Sequence, residues 1–433
     1  MPTIHTLPPL APSSDKSHHK QPGYKNPWPS WPNRGLSFAD VFRTRFGGNK
    51  PPYVPVPADR AELVQVRRPD FSPPPPGAAF KVTWIGHASF LLQCALPSST
   101  RTLNILLDPV FSERTSPFSF FGPKRYTPTP CTLAELLDEL PIDVVCISHN
   151  HYDHADTASL KAIYEHRGPD VLFCVALGNS RWLLPLSIPK QQIWEGDWWD
   201  RLEVSMSDGT ASKEKAASIR TSESSKSTHS DASIRITCTP CQHSSARSPF
   251  DRDADLWCSF ALEIPSEVTS SSSSGKPSST TDNSSHRSVY FSGDTGYRTI
   301  PSSPDPYPDS DLPALPVCPA FAEIGEQLGP FDLALLPIGL CKPRAFMAPV
   351  HCNPADSMCV HRDVKAKRSV GMHYGTVRGG LSEYYEDVRT PPREWREEAE
   401  KMGLKFRGEG GDRSGEEEDW EIGLMDVGES LVI

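Results

Sequence analysis

From residue 79 onward, short apolar runs alternate with polar, turn-forming stretches, the pattern of many brief strands rather than of a long helical bundle. Residues 79–85 and 89–93 read as a hairpin, with 103–107 pairing across a turn that holds Pro97. The run at 142–147 is short and rich in β-branched residues, as a strand covered on both faces would be. Further strands are predicted at 171–175, 233–239, 288–293 and 368–372. Helices fall between them: 132–140, where Thr132 and Glu135 suit a capping box, then 157–166, 178–184 and a segment opened by Pro354. Strands alternating with helices predict an α/β domain of stacked layers.

Composition then trims that domain. A prior of about 150 residues per domain would allow two or three domains. With 45 prolines in 433 residues and only 37% apolar content, the chain reads instead as one sizeable domain, 79–433, carrying disordered extras. Residues 1–78 read as a disordered, Pro-rich leader. Within it, Phe38, Val41, Phe42 and Arg45 are spaced like a short amphipathic helix that docks on the domain or on lipid. Ser/Thr-rich insertions are predicted at 207–232 and 266–287, and a Pro/Asp-rich one at 298–317, which the fold tolerates because loop closure costs rise only logarithmically with length.

The net charge of −10, without a long Lys/Arg run, argues against a nucleic-acid partner. Eleven cysteines, an odd number set in strand-like segments, read as reduced thiols, and Cys238 and Cys241 as packing residues despite their spacing. No charged segment followed by an apolar stretch opens the chain, and no apolar run approaches membrane-spanning length. The expectation is an intracellular protein, cytoplasmic or peripherally membrane-associated, and not a secreted one.

Chemistry concentrates just after the 142–147 strand, where His149, His151, Asp153 and His154 fall within six positions. In extended backbone His149 and His151 point the same way and can reach one ion, while Asp153 and His154 follow as the chain turns and can serve another. Imidazole nitrogen and carboxylate oxygen suit zinc, in the manner of a catalytic site. His243, Asp294 and His373 each follow a predicted strand and are further candidates, ligands or polar loop residues on their spacing alone. His87 lies between strands, either structural or beside the site. The loop 111–130 sets Phe118, Phe120 and Phe121 beside Lys124, Arg125 and Tyr126; such a loop suits a lipid phosphodiester or packs on the domain.

His-x-His-x-Asp-His after a strand resembles the metallo-β-lactamase superfamily. Trp84-Ile-Gly-His-Ala-Ser, Leu107-Asp-Pro-Val-Phe, Gly122-Pro-Lys-Arg-Tyr, Ser148-His-Asn-His-Tyr-Asp-His, Gly293-Asp-Thr-Gly-Tyr, Gly329-Pro-Phe-Asp-Leu and Met372-His-Tyr-Gly-Thr narrow the resemblance to the N-acyl-phosphatidylethanolamine-hydrolysing phospholipases D, over roughly residues 80 to 380. That resemblance implies a four-layer αββα sandwich and two Zn2+ ions. His149, His151 and His243 would hold one; Asp153, His154 and His373 would hold the other, with Asp294 bridging. It places Asp108 under the metals and turns His351 to the substrate phosphate, which leaves His361 structural and makes Asp153 and His351 the catalytic candidates, with Lys124 and Arg125 as substrate contacts. It further implies a phospholipid substrate cleaved by zinc-dependent hydrolysis of phospholipase D type, peripheral membrane contact and a homodimer. A lactonase or other soluble metallo-hydrolase on the same fold is the alternative, and a non-catalytic binding scaffold a third.

Overall fold

The computed structural model describes residues 2–10, 16–32, 42, 44, 46–47, 51–97, 101–118, 120–206, 233–266, 286–302, 307–407 and 420–433. Strands are numbered in chain order. In β2 (Phe80–Gly86), β3 (Ser89–Cys94), β4 (Leu103–Leu107), β6 (Val144–Ile147) and β7 (Leu172–Ala176), alternate side chains face opposite ways and both sets are largely apolar. Phe90, Leu92, Leu107, Cys146 and Cys174 enter an inner core; Leu91, Leu106, Val145, Ile147 and Phe173 enter an outer one, shared with the helices Leu133–Glu139 and Thr157–Arg167. Fully burying each such large side chain stabilises the fold by about 1.5–3 kcal/mol. With β8 (Ile193–Gly196) and β17 (Ser430–Val432), these strands form a seven-stranded sheet in the order β17-β2-β3-β4-β6-β7-β8.

An eight-stranded sheet faces it across the inner core. It runs β1 (Pro2–Leu7), β9 (Arg201–Met206), β10 (Ser233–Thr239), β11 (Ser259–Pro265), β12 (His286–Phe291), β13 (Leu333–Pro337), β14 (Ser369–Met372), β16 (Ile422–Gly423). The helices Ala320–Gln327, Pro354–Asp363 and Thr390–Lys401 cover its other face through Phe321, Met358 and Trp395, which completes an αββα sandwich. A two-stranded ribbon, β5 (Lys124–Arg125) with β15 (Val377–Arg378), stands apart from both sheets. The predicted capping box at Thr132 is present, with both reciprocal hydrogen bonds formed.

The disordered-leader expectation fails for the described part of residues 1–78. β1 adds an edge strand to β9, from Pro2 opposite Met206 to Leu7 opposite Arg201. Asp197 gathers Lys16, His18 and His19 at 2.6, 2.7 and 2.8 Å, and His18 stacks on Trp198. Gln65 and Arg67 exchange backbone hydrogen bonds with Val427. A segment too polar to build its own core is held here by a strand edge and a carboxylate that the finished domain offers, and composition reports only the first of these facts. Of the predicted amphipathic helix, Phe42, Thr44 and Phe46 are described. Both rings are exposed, and the Thr44 carbonyl accepts a hydrogen bond from the Tyr385 hydroxyl; the rest of that helix lies outside the described residues.

Insertions 207–232 and, for residues 267–285, 266–287 also lie outside the described residues. The second ends earlier than expected, because His286 and Arg287 already belong to β12. The 298–317 insertion is anchored where it is described. A bridge between Arg298 and Val317 closes it, and buried Arg298 bonds Asp356 at 2.9 Å and the Leu312 carbonyl at 2.7 Å. One internal cation ties this loop to the helix Pro354–Asp363. All eleven cysteines are free thiols, and Cys238 and Cys241 are buried in the inner core. Among the described residues, no helix is long and apolar enough to cross a membrane.

Candidate metal centre

Strands of both sheets terminate at one edge of the sandwich and release ligand-type side chains there. Asp108 follows β4, the 148–154 loop follows β6, His243 follows β10, Asp294 follows β12, and His373 follows β14. Gly293 makes the convergence possible. Its φ is +56°, and a Cβ at this position would stand 2.5 Å from that of Ser148, so only glycine lets the β12 and β6 ends meet.

Three ring nitrogens share one point. His149 Nε2 lies 2.9 Å from His151 Nδ1, and His243 Nε2 lies 3.2 Å from each of these atoms. A tetrahedral ion with bonds of about 2.0 Å would need roughly 3.3 Å between donors. Proton assignment strengthens the fit. His243 Nδ1 faces the Val350 carbonyl at 2.9 Å, which only accepts, so Nδ1 carries the hydrogen and Nε2 is bare. The Ser148 hydroxyl donates to Asp108 Oδ2 at 2.6 Å, which leaves it to accept from His149 Nδ1 at 3.0 Å and bares His149 Nε2 as well. Two bare lone pairs 3.2 Å apart repel unless a cation sits between them.

The second set adjoins the first, with the His149 and His154 rings 4.2 Å apart. His154 Nδ1 donates to buried Asp108 at 2.6 Å, which turns Nε2 inward to Asp294 Oδ2 at 3.1 Å and His373 Nε2 at 3.3 Å. His373 Nε2 lies 3.1 Å from Asp294 Oδ1 and 3.7 Å from Asp153 Oδ2. Asp294 thus spans both histidines. Asp108 stands where its carboxylate fixes the His154 tautomer. His87, fully buried, approaches Asp153 Oδ2 at 3.2 Å and accepts the His373 backbone N–H on its carbonyl.

Charge divides the two sets. Burial and the neighbouring imidazoles hold His149 well below its usual value, and burial does the same to His243, so the first set is uncharged. Burial also opposes charge on His154 and His373, but Asp294 and Asp153 outweigh it, pushing His373 up to about 9 and His154 well above its ordinary range. Burial raises Asp153 and Asp294, yet His154 and its neighbours bring both well below the carboxylate range. Protons therefore occupy the second set of the metal-free protein at neutral pH, and a cation must displace them. Metal loading at pH 7.5 is expected to release protons, with affinity climbing as pH rises toward about 9, where His373 loses its own. Calorimetry in buffers of different ionisation heat checks this; loading without proton release would refute it.

Residues 103–374 match the β-lactamase superfamily domain. The N-acyl-phosphatidylethanolamine-hydrolyzing phospholipase D 1 of Caenorhabditis elegans is 32% identical over 307 residues, covering 71% of this chain and 67% of that one. The chain belongs to this phospholipase D family of the β-lactamase superfamily. The mitochondrial N-acyl-phosphatidylethanolamine-hydrolyzing phospholipase D of Saccharomyces cerevisiae is 28% identical over 275 residues, 63% of this chain and 44% of its own length. Among solved structures, the metallo hydrolase Igni18 of Ignicoccus hospitalis aligns with TM-score 0.43 and 19% identity, over 82% of this chain and 98% of that one. Family membership makes the chain a metallo-hydrolase, and its His/Asp clusters offer donors to a divalent metal.

In this phospholipase-family chain the donors open on a cavity of about 190 Å³ whose wall includes Asp153, His351, His373, Lys342 and Arg378. His351 Nδ1 lies 3.7 Å from Asp294 Oδ2 and has no hydrogen-bond partner among the described residues. His361 points away, its Nδ1 2.7 Å from the Ser369 hydroxyl. Lys124 and Arg125 are not among the cavity's described lining residues. Neighbours on a strand face opposite sides: Lys124 turns outward to Glu113 at 2.8 Å, and Arg125 turns inward to the Val110 carbonyl at 2.8 Å. The pairing of β5 with β15 sets this register, which the loop's composition does not reveal. Sequence reasoning missed Asn26, whose side-chain amide donates to the His243 carbonyl at 2.7 Å from within the leader. It also missed Arg378.

Proposed function

We propose that the chain is a zinc-dependent phosphodiesterase of phospholipase D type, hydrolysing N-acyl-phosphatidylethanolamine to an N-acylethanolamine and a phosphatidic acid. The observation that carries this reading is the pair of adjoining donor sets opening on one cavity, in a chain whose relatives bear that activity in their names. His149, His151 and His243 would hold one zinc, Asp153, His154 and His373 the other, and Asp294 both. Two such ions supply an acidified water at neutral pH and neutralise phosphoryl oxygens.

The chain's own residues set the rest. Asp108, Ser148 and the Val350 carbonyl fix the tautomers of His154, His149 and His243, so that Nε2 of each faces the site. Burial pushes His351 down to about 4, so at neutral pH its ring is uncharged and serves as a hydrogen-bond donor to a phosphoryl oxygen rather than as a charged acid. Water adds its oxygen to phosphorus, the bond from phosphorus to the ethanolamine oxygen breaks, and the departing oxygen takes a proton. Exposed Phe118, Phe120 and Phe121 lie on the loop that leads to Pro123 on the cavity wall, a placement suited to peripheral contact with a lipid surface.

The test is hydrolysis of N-acyl-phosphatidylethanolamine vesicles with and without a chelator, reading both products. Equimolar products, abolished by chelation and restored by zinc, are expected. Cleavage of lactones or cyclic nucleotides in place of the lipid would overturn the substrate assignment, and less than one zinc per freshly purified chain would favour a non-catalytic scaffold.

A further inference from the structure

Arg378 sits on β15, in the wall of the cavity that also exposes Asp153, His351 and His373. Only 6% of it is exposed, and it makes no ion pair among the described residues. Its Nη2 donates to the carbonyls of Ser382 and Glu386 at 3.1 and 3.0 Å, whereas Nε and Nη1 have no partner among the described residues. The nearby Glu386 carboxylate is taken, since its oxygens accept the Leu340 and Cys341 backbone N–H groups at 2.7 and 2.8 Å. Tyr53 covers the guanidinium from one side, with its ring centroid 5.6 Å from Cζ. Lys342, also in the wall, is balanced by Glu394 at 2.9 Å. Arg378 is thus a desolvated cation fixed at one end by two carbonyls and left with two donors and no ion pair among the described residues; the one neighbouring carboxylate that its charge acts on, Asp387, is itself held by Arg389 at 2.6 Å.

A buried, orphaned donor on a fixed charge calls for a partner that the described residues do not supply. Guanidinium offers parallel N–H groups at the spacing of two oxygens on one phosphorus, a match that a lysine ammonium lacks. Arg125, across the ribbon, shares the orphaned nitrogens but lies beneath Gly86, outside the cavity's described lining. We infer that Arg378 is an anion anchor, binding the phosphodiester oxygens of the substrate within the cavity that the metal-ligand residues Asp153 and His373 also line. This rests on the phosphodiesterase reading above and adds to it the residue that selects a charged diester over a neutral ester.

Zinc-loaded wild type is compared with R378Q and R378K, using the N-acyl lipid in mixed micelles as substrate and inorganic phosphate as inhibitor. R378Q is expected to raise KM and the phosphate inhibition constant together, by about 10- to 100-fold, the weight of a charge-assisted pair. Zinc content should stay unchanged, and R378K should recover part of the loss through its point charge. Phosphate should raise the wild-type Tm and raise that of R378Q less. A lower Tm for R378Q with unaltered phosphate inhibition would overturn the inference, leaving Arg378 a structural clip between two carbonyls. If the wild type cleaves no phosphodiester lipid, the proposed function falls, while phosphate inhibition of whatever ester it does cleave and the phosphate-induced Tm shift still judge the arginine.

Discussion

Asp294→Asn is expected to lower kcat/KM on N-acyl-phosphatidylethanolamine by at least about 10³-fold while the circular dichroism spectrum stays that of the wild type. The substitution keeps the shape of a side chain that is 2% exposed and removes its charge. Its two oxygens now face His154 Nε2 and His373 Nε2, each at 3.1 Å. An amide would turn one of those acceptors into a donor, aim hydrogens at a ring nitrogen and cancel the negative charge that both ions would share. Two losses follow from one atom exchange. Zinc per chain, measured by mass spectrometry, should drop from about two to one or less, and the residual activity should no longer respond to added zinc. Full zinc content with normal turnover in Asp294→Asn would remove the binuclear assignment altogether.

How far the sequence could carry this depended on the distance over which each fact is encoded. Strands β2, β3, β4, β6 and β7 were legible because short apolar runs bounded by turn-forming residues are a local property, and so was the Thr132–Glu135 capping box. The His149–His154 cluster was legible too, since four donors within six positions need no tertiary information. His243 and His373 lie 94 and 219 residues from their partners His149 and His154; only their positions at strand ends and the family likeness marked them. Arg378, Asn26 and the Asp197 clamp were illegible for one shared reason: each acquires meaning from a partner that folding creates. A guanidinium is remarkable only once its counter-charge is missing, and a polar leader is ordered only once a strand edge and a carboxylate await it. Lys124 and Arg125 show the same dependence on folding from the other side. Their charges suited a phosphate, but strand geometry decided where they point, and one faces solvent while the other faces the interior.

Removing the metals is expected to lower Tm by roughly 10 °C. A ligand that binds only the folded chain stabilises it by about 4 kcal/mol when present at a thousandfold over its dissociation constant, and for a domain of this size each kcal/mol moves Tm by about 2–4 °C. The donors are held together by the fold rather than by one another. His149 and His243 keep bare nitrogens face to face, and Asp153 and Asp294 both turn a carboxylate oxygen to His373 Nε2, at 3.7 and 3.1 Å. In the metal-free protein, protons on His154 and His373 offset that carboxylate charge. Their raised folded-state pKa contributes stability that is complete below the unfolded value of 6.5 and lost as pH rises through about 9 for His373. The metal-loaded protein carries no proton at these positions, so the gap between the two forms should widen from pH 6.5 to pH 9. Differential scanning calorimetry on chelated and zinc-reconstituted samples reads both effects. An equal Tm in samples shown to differ in zinc content would mean that these seven side chains need no cation to stay together, and the donor sets would lose their claim to be a metal centre.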